Sequence, residues 1–327
     1  MPTEPARRNA PLLVVFNRSS GRGDRDAVGP AVEAACRTVG RGCELFPVTQ
    51  GGQLHDVARD AVRRAVEVGG VVVAAGGDGT INGVAQAVLG SGCAFGVLPR
   101  GTFNYFARTH GIPTELDQAL QVLLHEAAVP VQVGQVNGRV FLVNASVGLY
   151  AQSLEDREGW KQQFGRSRLV ALASGVRTIL RGHRSLRLTA ELPDRSWSAR
   201  TPTLFVGNNA LQMEQVGLPQ AQAIDTGRLA GVMLKPVGRW SLLALLARGA
   251  FGQLSEADEV VHFPFRSLTV NVRAGGTRRI KVATDGEVSA MTMPLRFEVA
   301  PNLLPLIRPP GLAPERREAQ AAAEAGA

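Results

Sequence analysis

The stretch Val71–Val72–Val73–Ala74–Ala75–Gly76–Gly77–Asp78–Gly79–Thr80–Ile81–Asn82 decides the fold. Five short apolar residues read as a buried strand. They run straight into three glycines, a carboxylate and a hydroxyl, and Ile81–Asn82–Gly83–Val84–Ala85 then opens a helix. Glycine lets the backbone approach a ligand closely, and a helix start offers free N–H groups and positive dipole, which together suit a phosphate. Asp78 is itself an anion, so its chemistry fits Mg²⁺ beside the phosphates, held directly or through water. For such a loop in isolation the alternative is a tight turn in which Asp78 or Thr80 caps the helix.

Around this stretch the first third of the chain alternates. Leu12–Phe16, Leu45–Val48 and Phe95–Leu98 are further strand-length apolar runs, and Val28–Val39, Leu54–Val68, Ile81–Leu89 and Asn104–His110 are helical patterns between or after them. In Leu54–Val68, apolar residues recur every three or four positions and define one helix face. Alternating strands and helices predict an α/β domain over residues 10–130 with a parallel sheet covered on both faces. Two more strand ends carry polar loops. Leu98–Pro99 leads into Arg100–Gly101–Thr102–Phe103–Asn104, and the first strand ends in Asn17–Arg18–Ser19–Ser20–Gly21. In open parallel sheets ligands bind outside the carboxyl ends of the strands, so three such loops converge on one edge.

Beyond Pro130 the rhythm changes. Val131–Val136, Val140–Val147, Leu186–Leu192, Thr203–Val206, Leu229–Leu234, Leu268–Val272, Ile280–Ala283 and Leu295–Val299 read as strands, interrupted by helical stretches around Arg166–Leu180 and Trp240–Ala250. This predicts a β-rich, sandwich-like second domain over residues 131–309. Residues 310–327 lack core formers and read as a disordered tail.

Composition bounds the function. The chain of 327 residues carries 36 basic and 28 acidic residues, a formal charge of +8, which favours anionic partners. Cys36, Cys43 and Cys93 have no metal or disulfide spacing, so a reducing, cytoplasmic setting is expected. No run approaches the roughly 18 apolar residues of a membrane span. No G-x-x-x-x-G-K-[ST], no G-x-G-x-x-G at the first βα turn and no H-E-x-x-H occurs, which argues against P-loop, Rossmann and zinc-hydrolase chemistry. A nucleic-acid partner is not expected, since no recognition motif is present. The basic and aromatic residues of Arg157–Arg168, with the arginines of Arg177–Arg187, suit a peripheral contact with an anionic membrane surface.

The ordered set Asn17 with Ser20–Gly21, Thr49, Gly76–Gly77–Asp78–Gly79–Thr80–Ile81–Asn82, Pro99-x-Gly101–Thr102-x-Asn104 and Asp285–Gly286–Glu287 resembles the diacylglycerol kinase catalytic-domain family from about Leu12 to Pro309. That family includes bacterial lipid kinases and the sphingosine and ceramide kinases. The resemblance implies an NAD-kinase/phosphofructokinase-like α/β domain followed by a β-sandwich domain, with ATP and a lipid meeting between them. It further implies transfer of the ATP γ-phosphate to a lipid hydroxyl, diacylglycerol or a related lipid. Asn17, Ser20, Gly21, Thr49, Gly76, Gly77, Asp78, Gly79, Thr80, Asn82 and Thr102 would hold the nucleotide, with Asp78 at Mg²⁺. Asp285 or Glu287 would be the general base on the acceptor hydroxyl, with Glu287 favoured and Asp285 then organising the site. An NAD kinase-like enzyme, which shares the Gly-Gly-Asp-Gly-Thr loop, and a catalytically weak lipid-binding or regulatory protein are the alternatives. The chain departs from the family pattern at Tyr105, where Asp is common, at Gly83, where Glu is frequent, and at Asp225–Thr226–Gly227, where some bacterial members have Asp-Asp-Gly at a structural Mg²⁺ site.

Overall fold

The structure is a computed structural model, described over residues 9–17, 28–149, 151, 185–193, 195–215, 221–250, 257–273 and 278–310. The chain forms two units, residues 1–131 with 302–327, and residues 132–301.

In the first unit the order is β1 (Leu12–Asn17), α1 (Val28–Thr38), β2 (Cys43–Val48), α2 (Leu54–Val68), β3 (Val71–Gly76), α3 (Asp78–Val88), β4 (Ala94–Pro99), α4 (Tyr105–Thr109), α5 (Leu116–His125) and β5 (Ala128–Val131). The strands β2-β1-β3-β4 lie side by side in parallel. Every residue of β3 and β4 is buried, which is why these strands appear in the sequence as continuous apolar runs rather than alternating ones. Leu12, Val14, Val71 and Val73 face α1 and α5 in one core layer. Leu13, Val15, Val72 and Ala74 point to the other face. There α2 packs beside β1 and α3 beside β3. Leu54 of α2 fills the space over Gly83 of α3, where a Cβ would come within 2.6 Å of Leu54 Cδ2. Glycine at position 83 is thus the residue that lets these two helices touch.

The second domain expected over residues 131–309 ends earlier in the structure, at Pro301. The last strand, Leu304–Ile307, joins the first sheet between β4 and β5, parallel to β4 and antiparallel to β5. Leu304, Leu306 and Ile307 are almost wholly buried there, and this burial draws the chain back. Pro305 lies opposite Pro130, so neither strand is asked for an N–H at that position. The expected tail beyond residue 310 and the expected helix around Arg166–Leu180 lie outside the described residues.

The second unit holds two antiparallel six-stranded sheets. One has the order β10-β9-β14-β17-β6-β7, formed by Ser196–Thr201, Leu186–Glu191, Ser267–Arg273, Leu295–Val299, Gly134–Val136 and Arg139–Phe141. The other has the order β13-β12-β11-β8-β15-β16, formed by Val260–Phe265, Leu229–Leu234, Thr203–Gly207, Asn144–Gly148, Arg279–Thr284 and Glu287–Thr292. Leu188, Ala190, Val270, Val272 and Phe297 of the first meet Ala145, Val147, Leu204, Val206 and Val282 of the second in one core, a sandwich. The single strand expected over Val140–Val147 is two strands, because the chain changes sheets at Leu142–Val143. The amides freed at that corner are taken by a side chain from far along the sequence, Asp285.

Candidate active site

Strand register puts the polar loops of the first unit in a row. Asn17 is level with Val48, Phe16 with Ala75, and Gly76 with Pro99. The ends of β2, β1, β3 and β4 therefore form a line about 14 Å long at the usual strand spacing. The chain leaves β1 toward β2 and leaves β3 toward β4, in opposite directions, so the switch point of the sheet lies between Asn17 and Gly76. Such a crevice is where open α/β sheets bind ligands. Thr49 follows β2, is exposed, and donates from its hydroxyl to Gln53 Oε1 at 3.0 Å. Ser20 and Gly21 lie outside the described residues.

The two glycine loops are stitched together. Arg100 N–H donates to the Gly76 carbonyl (2.8 Å), and a Cβ on Gly101 would stand 2.9 Å from Gly77 Cα. Asn104 closes the second loop on itself: its Oδ1 accepts from Gly101 N–H (2.8 Å) and its Nδ2 donates to the Gly101 carbonyl (3.1 Å). This closure holds Asn104 in the left-handed region (φ 50°), which asparagine tolerates better than most residues. Asn104 and Gly101 are structural keys of the loop, which gives the Gly-x-x-Asn spacing in the sequence its physical reason.

Asp78 does not cap its own helix. Gly77 is the N-cap of α3 and makes no side-chain cap bond. The carboxylate reaches instead to the start of α4, where Asn104 N–H donates to Oδ2 (3.1 Å) and the amides of Tyr105 and Phe106 add hydrogen bonds. Burial pushes the Asp78 carboxyl above the usual carboxylate range, against the amides of Phe106, Asn104 and Tyr105 and its own, which pull it down. Oδ1 is buried and has no hydrogen-bond partner. Thr80 is buried against Gly76, where a Cβ would lie 2.7 Å from its Oγ1. Thr102 is exposed, and Asn17, Gly77, Gly79 and Asn82 are half-buried. Tyr105, the residue at the position where Asp is common, stacks on Phe103 with ring centroids 5.7 Å apart.

In the second unit Asp285 and Gly286 form the two-residue turn between β15 and β16, at φ 48° and 88°. This is the paired positive-φ geometry for which Asp-Gly is favoured. The Asp285 carboxylate accepts three successive backbone N–H groups: Leu142 to Oδ2 (2.7 Å), Val143 to Oδ1 (2.9 Å) and Asn144 to Oδ1 (2.9 Å). Asn208 holds the same corner from the other side, donating to the Leu142 carbonyl (3.1 Å). Nothing in the local sequence announces this corner. Glu287, two residues on, is 58% exposed and accepts from Arg139 at 3.0 Å. Thr226 turns its hydroxyl onto the Ala223 carbonyl (2.9 Å), closing the turn after the helix Ala221–Asp225.

Fold and site define a class: the chain belongs to the lipid kinases that carry a diacylglycerol kinase catalytic domain, whose family model matches residues 11–136. Among its relatives is a Pseudomonas aeruginosa PAO1 protein named "Probable lipid kinase YegS-like", 31% identical over 311 residues, which are 92% of this chain and 94% of that one. A protein of the same name from Klebsiella pneumoniae strain 342 is 36% identical over 147 residues, 42% of this chain and 46% of the relative. The crystal structure of a diacylglycerol kinase from Bacillus anthracis str. Sterne shares the fold, with a TM-score of 0.67 at 20% identity over 93% of this chain and 99% of that one. Among the described residues no helix is long and apolar enough to cross a membrane.

Proposed function

We propose that the chain transfers the γ-phosphate of Mg·ATP to the hydroxyl of diacylglycerol or a related lipid, while in peripheral contact with an anionic membrane surface. The observation that carries this reading is the pair of stitched glycine loops after β3 and β4, beside the switch point of the parallel sheet. Gly77 and Gly79 present bare backbone at the start of α3 to the phosphates, Gly76 gives Thr80 its place beneath them, and Asn17, Ser20, Gly21, Thr49, Thr80, Asn82 and Thr102 complete the nucleotide's surroundings. The unpartnered Oδ1 of Asp78 is the atom whose charge a cation would balance. Among the described residues no group of three His, Cys, Asp or Glu side chains could form a metal cage. One carboxylate with phosphate oxygens and water is the usual setting for Mg²⁺. When bound, Mg²⁺ neutralises phosphate charge during transfer.

Glu287 takes the proton of the acceptor hydroxyl as general base. Asp285 cannot share that role easily, because both its oxygens accept backbone N–H groups; it positions the turn from which Glu287 projects.

The test is labelled phosphate transfer from Mg·ATP in mixed micelles to diacylglycerol, monoacylglycerol, phosphatidylglycerol, sphingosine and ceramide. The expected result is one labelled lipid class. Asp78→Ala should abolish labelling, and Glu287→Gln should lower kcat by about 10²–10⁴-fold. The melting temperature of Glu287→Gln should stay within a degree or two, since an exposed ion pair contributes about 1 kcal/mol or less. ATP binding with no lipid labelled would refute the reading.

A further inference from the structure

The face of the β10-β9-β14 sheet turned away from the core carries an arrangement that phosphoryl transfer leaves unused. Leu188, Ala190, Val270 and Val272 point into the sandwich, and Trp197 and Ala199 pack against the same core. The alternate positions belong to the outer face. Register sets Arg200 opposite Arg187, and Arg187 opposite Arg273, so three arginines occupy one row across three neighbouring strands. The next row is Ser198, Thr189 and Asn271, in which the Thr189 and Ser198 hydroxyls lie 3.2 Å apart.

Like charges directly opposite on adjacent strands destabilise a sheet. Among the described residues no carboxylate offsets the repulsion locally. Arg187 and Arg200 are exposed, and neither makes an ion pair among the described residues. Glu191 is four residues further along β9, about 13 Å away at the usual strand rise. Glu298 is engaged by Arg296 at 2.9 Å. A row of three arginines in register is complementary in charge to an anionic partner.

We propose that this row is a docking surface for the anionic face of a phospholipid bilayer, with the guanidinium groups of Arg187 and Arg200 on lipid phosphates. The choice of occupant rests on the lipid-acceptor reading above, because an enzyme whose acceptor resides in a bilayer must work at its surface. Guanidinium groups bind phosphate through paired N–H donors, which suits Arg rather than Lys. The chemistry of the face disfavours a single-stranded nucleic acid. Its outward residues on these strands beside the arginines are Ser196, Ser198, Thr189, Glu191, Thr269 and Asn271, none of them an aromatic platform for bases.

The test is co-sedimentation with vesicles of phosphatidylcholine alone and of phosphatidylcholine with phosphatidylglycerol. It compares the wild type, the double variant Arg187→Ala/Arg200→Ala, and the control Arg59→Ala/Arg63→Ala. The control loses the same charge from α2, where these arginines pair with Asp56 and Asp60. Wild type and control should bind the phosphatidylglycerol vesicles and release them as salt is raised. The double variant's partition should fall about 25-fold, at about five-fold per arginine. Its melting temperature should hold or rise, because repulsion is relieved. Phosphate transfer to a water-soluble short-chain lipid should be unchanged in it. Equal vesicle binding by wild type and double variant, or no preference of the wild type for phosphatidylglycerol, would overturn the docking surface. So would a double variant that loses the wild type's retention on a heparin column while its vesicle binding stays intact, which would point to another polyanion. A wild type that binds vesicles but labels no lipid would instead sink the kinase reading and leave the surface standing.

Discussion

Two aspartates in the two units solve the same structural problem and differ in what their oxygens have left over. Asp78 gathers the backbone amides that open α4, and Asp285 gathers those of Leu142, Val143 and Asn144. Each carboxylate ties a loop to a segment distant in sequence. Asp285 spends both oxygens on this work. Asp78 keeps Oδ1 buried and unpartnered, and burial raises its pKa. The comparison separates architecture from chemistry: a saturated carboxylate builds, whereas a buried one with an oxygen left over can also hold a cation.

The largest effect should come from breaking the saturated member. Asp285→Ala leaves three amides without acceptors and forces alanine into positive φ, and should cost about 3–5 kcal/mol in denaturant unfolding. Asp285→Asn keeps the turn conformation and an acceptor, and should cost roughly half of that. Equal losses would mean that the charge, not the turn, matters. At the other corner Gly101→Ala drives a methyl group toward Gly77 Cα and Asn104 Oδ1. It should destabilise by about 1–3 kcal/mol and weaken nucleotide binding measured by calorimetry. The smallest effect sharpens the contrast through pH. Because the folded state holds the Asp78 proton more tightly than the unfolded chain, the stability from that proton is complete below the ordinary carboxylate pKa. It is lost as pH rises through the raised value. Asp78→Asn does not ionise, so its thermal stability should gain on wild type between about pH 4 and neutrality. A constant gap across that range would show that Asp78 titrates normally.

Much of the first unit was legible because a sheet buried on both faces announces itself as apolar runs, and its loops as glycine clusters. The pattern of Leu54–Val68 matched its helix to the residue. What stayed hidden depends on partners distant in sequence. The break at Leu142–Val143 is set by Asp285, more than a hundred residues away. The strand Leu304–Ile307 is short and contains Pro305, which argues locally against an interior strand. The strand Ser196–Thr201 is largely polar because one face meets water. Within the site, the Gly76 to Asn82 loop could be read from residue types alone. The attachment of Asp78 to α4 could not, since it depends on where β4 brings Asn104. The contact of Leu54 with Gly83 was equally invisible, although it gives the unusual glycine a packing reason.

The return of Leu304–Ile307 to the first sheet bears on the order in which the protein is made. A ribosome releases the chain from its N-terminus, and domains generally fold as they emerge. Residues 132–301 form a contiguous unit and can finish folding while the last strand is still inside the exit tunnel. The first unit is begun early, yet β4 and β5 must wait for the strand that lies between them. The glycine loops are thus translated first, and the sheet that carries them is completed last.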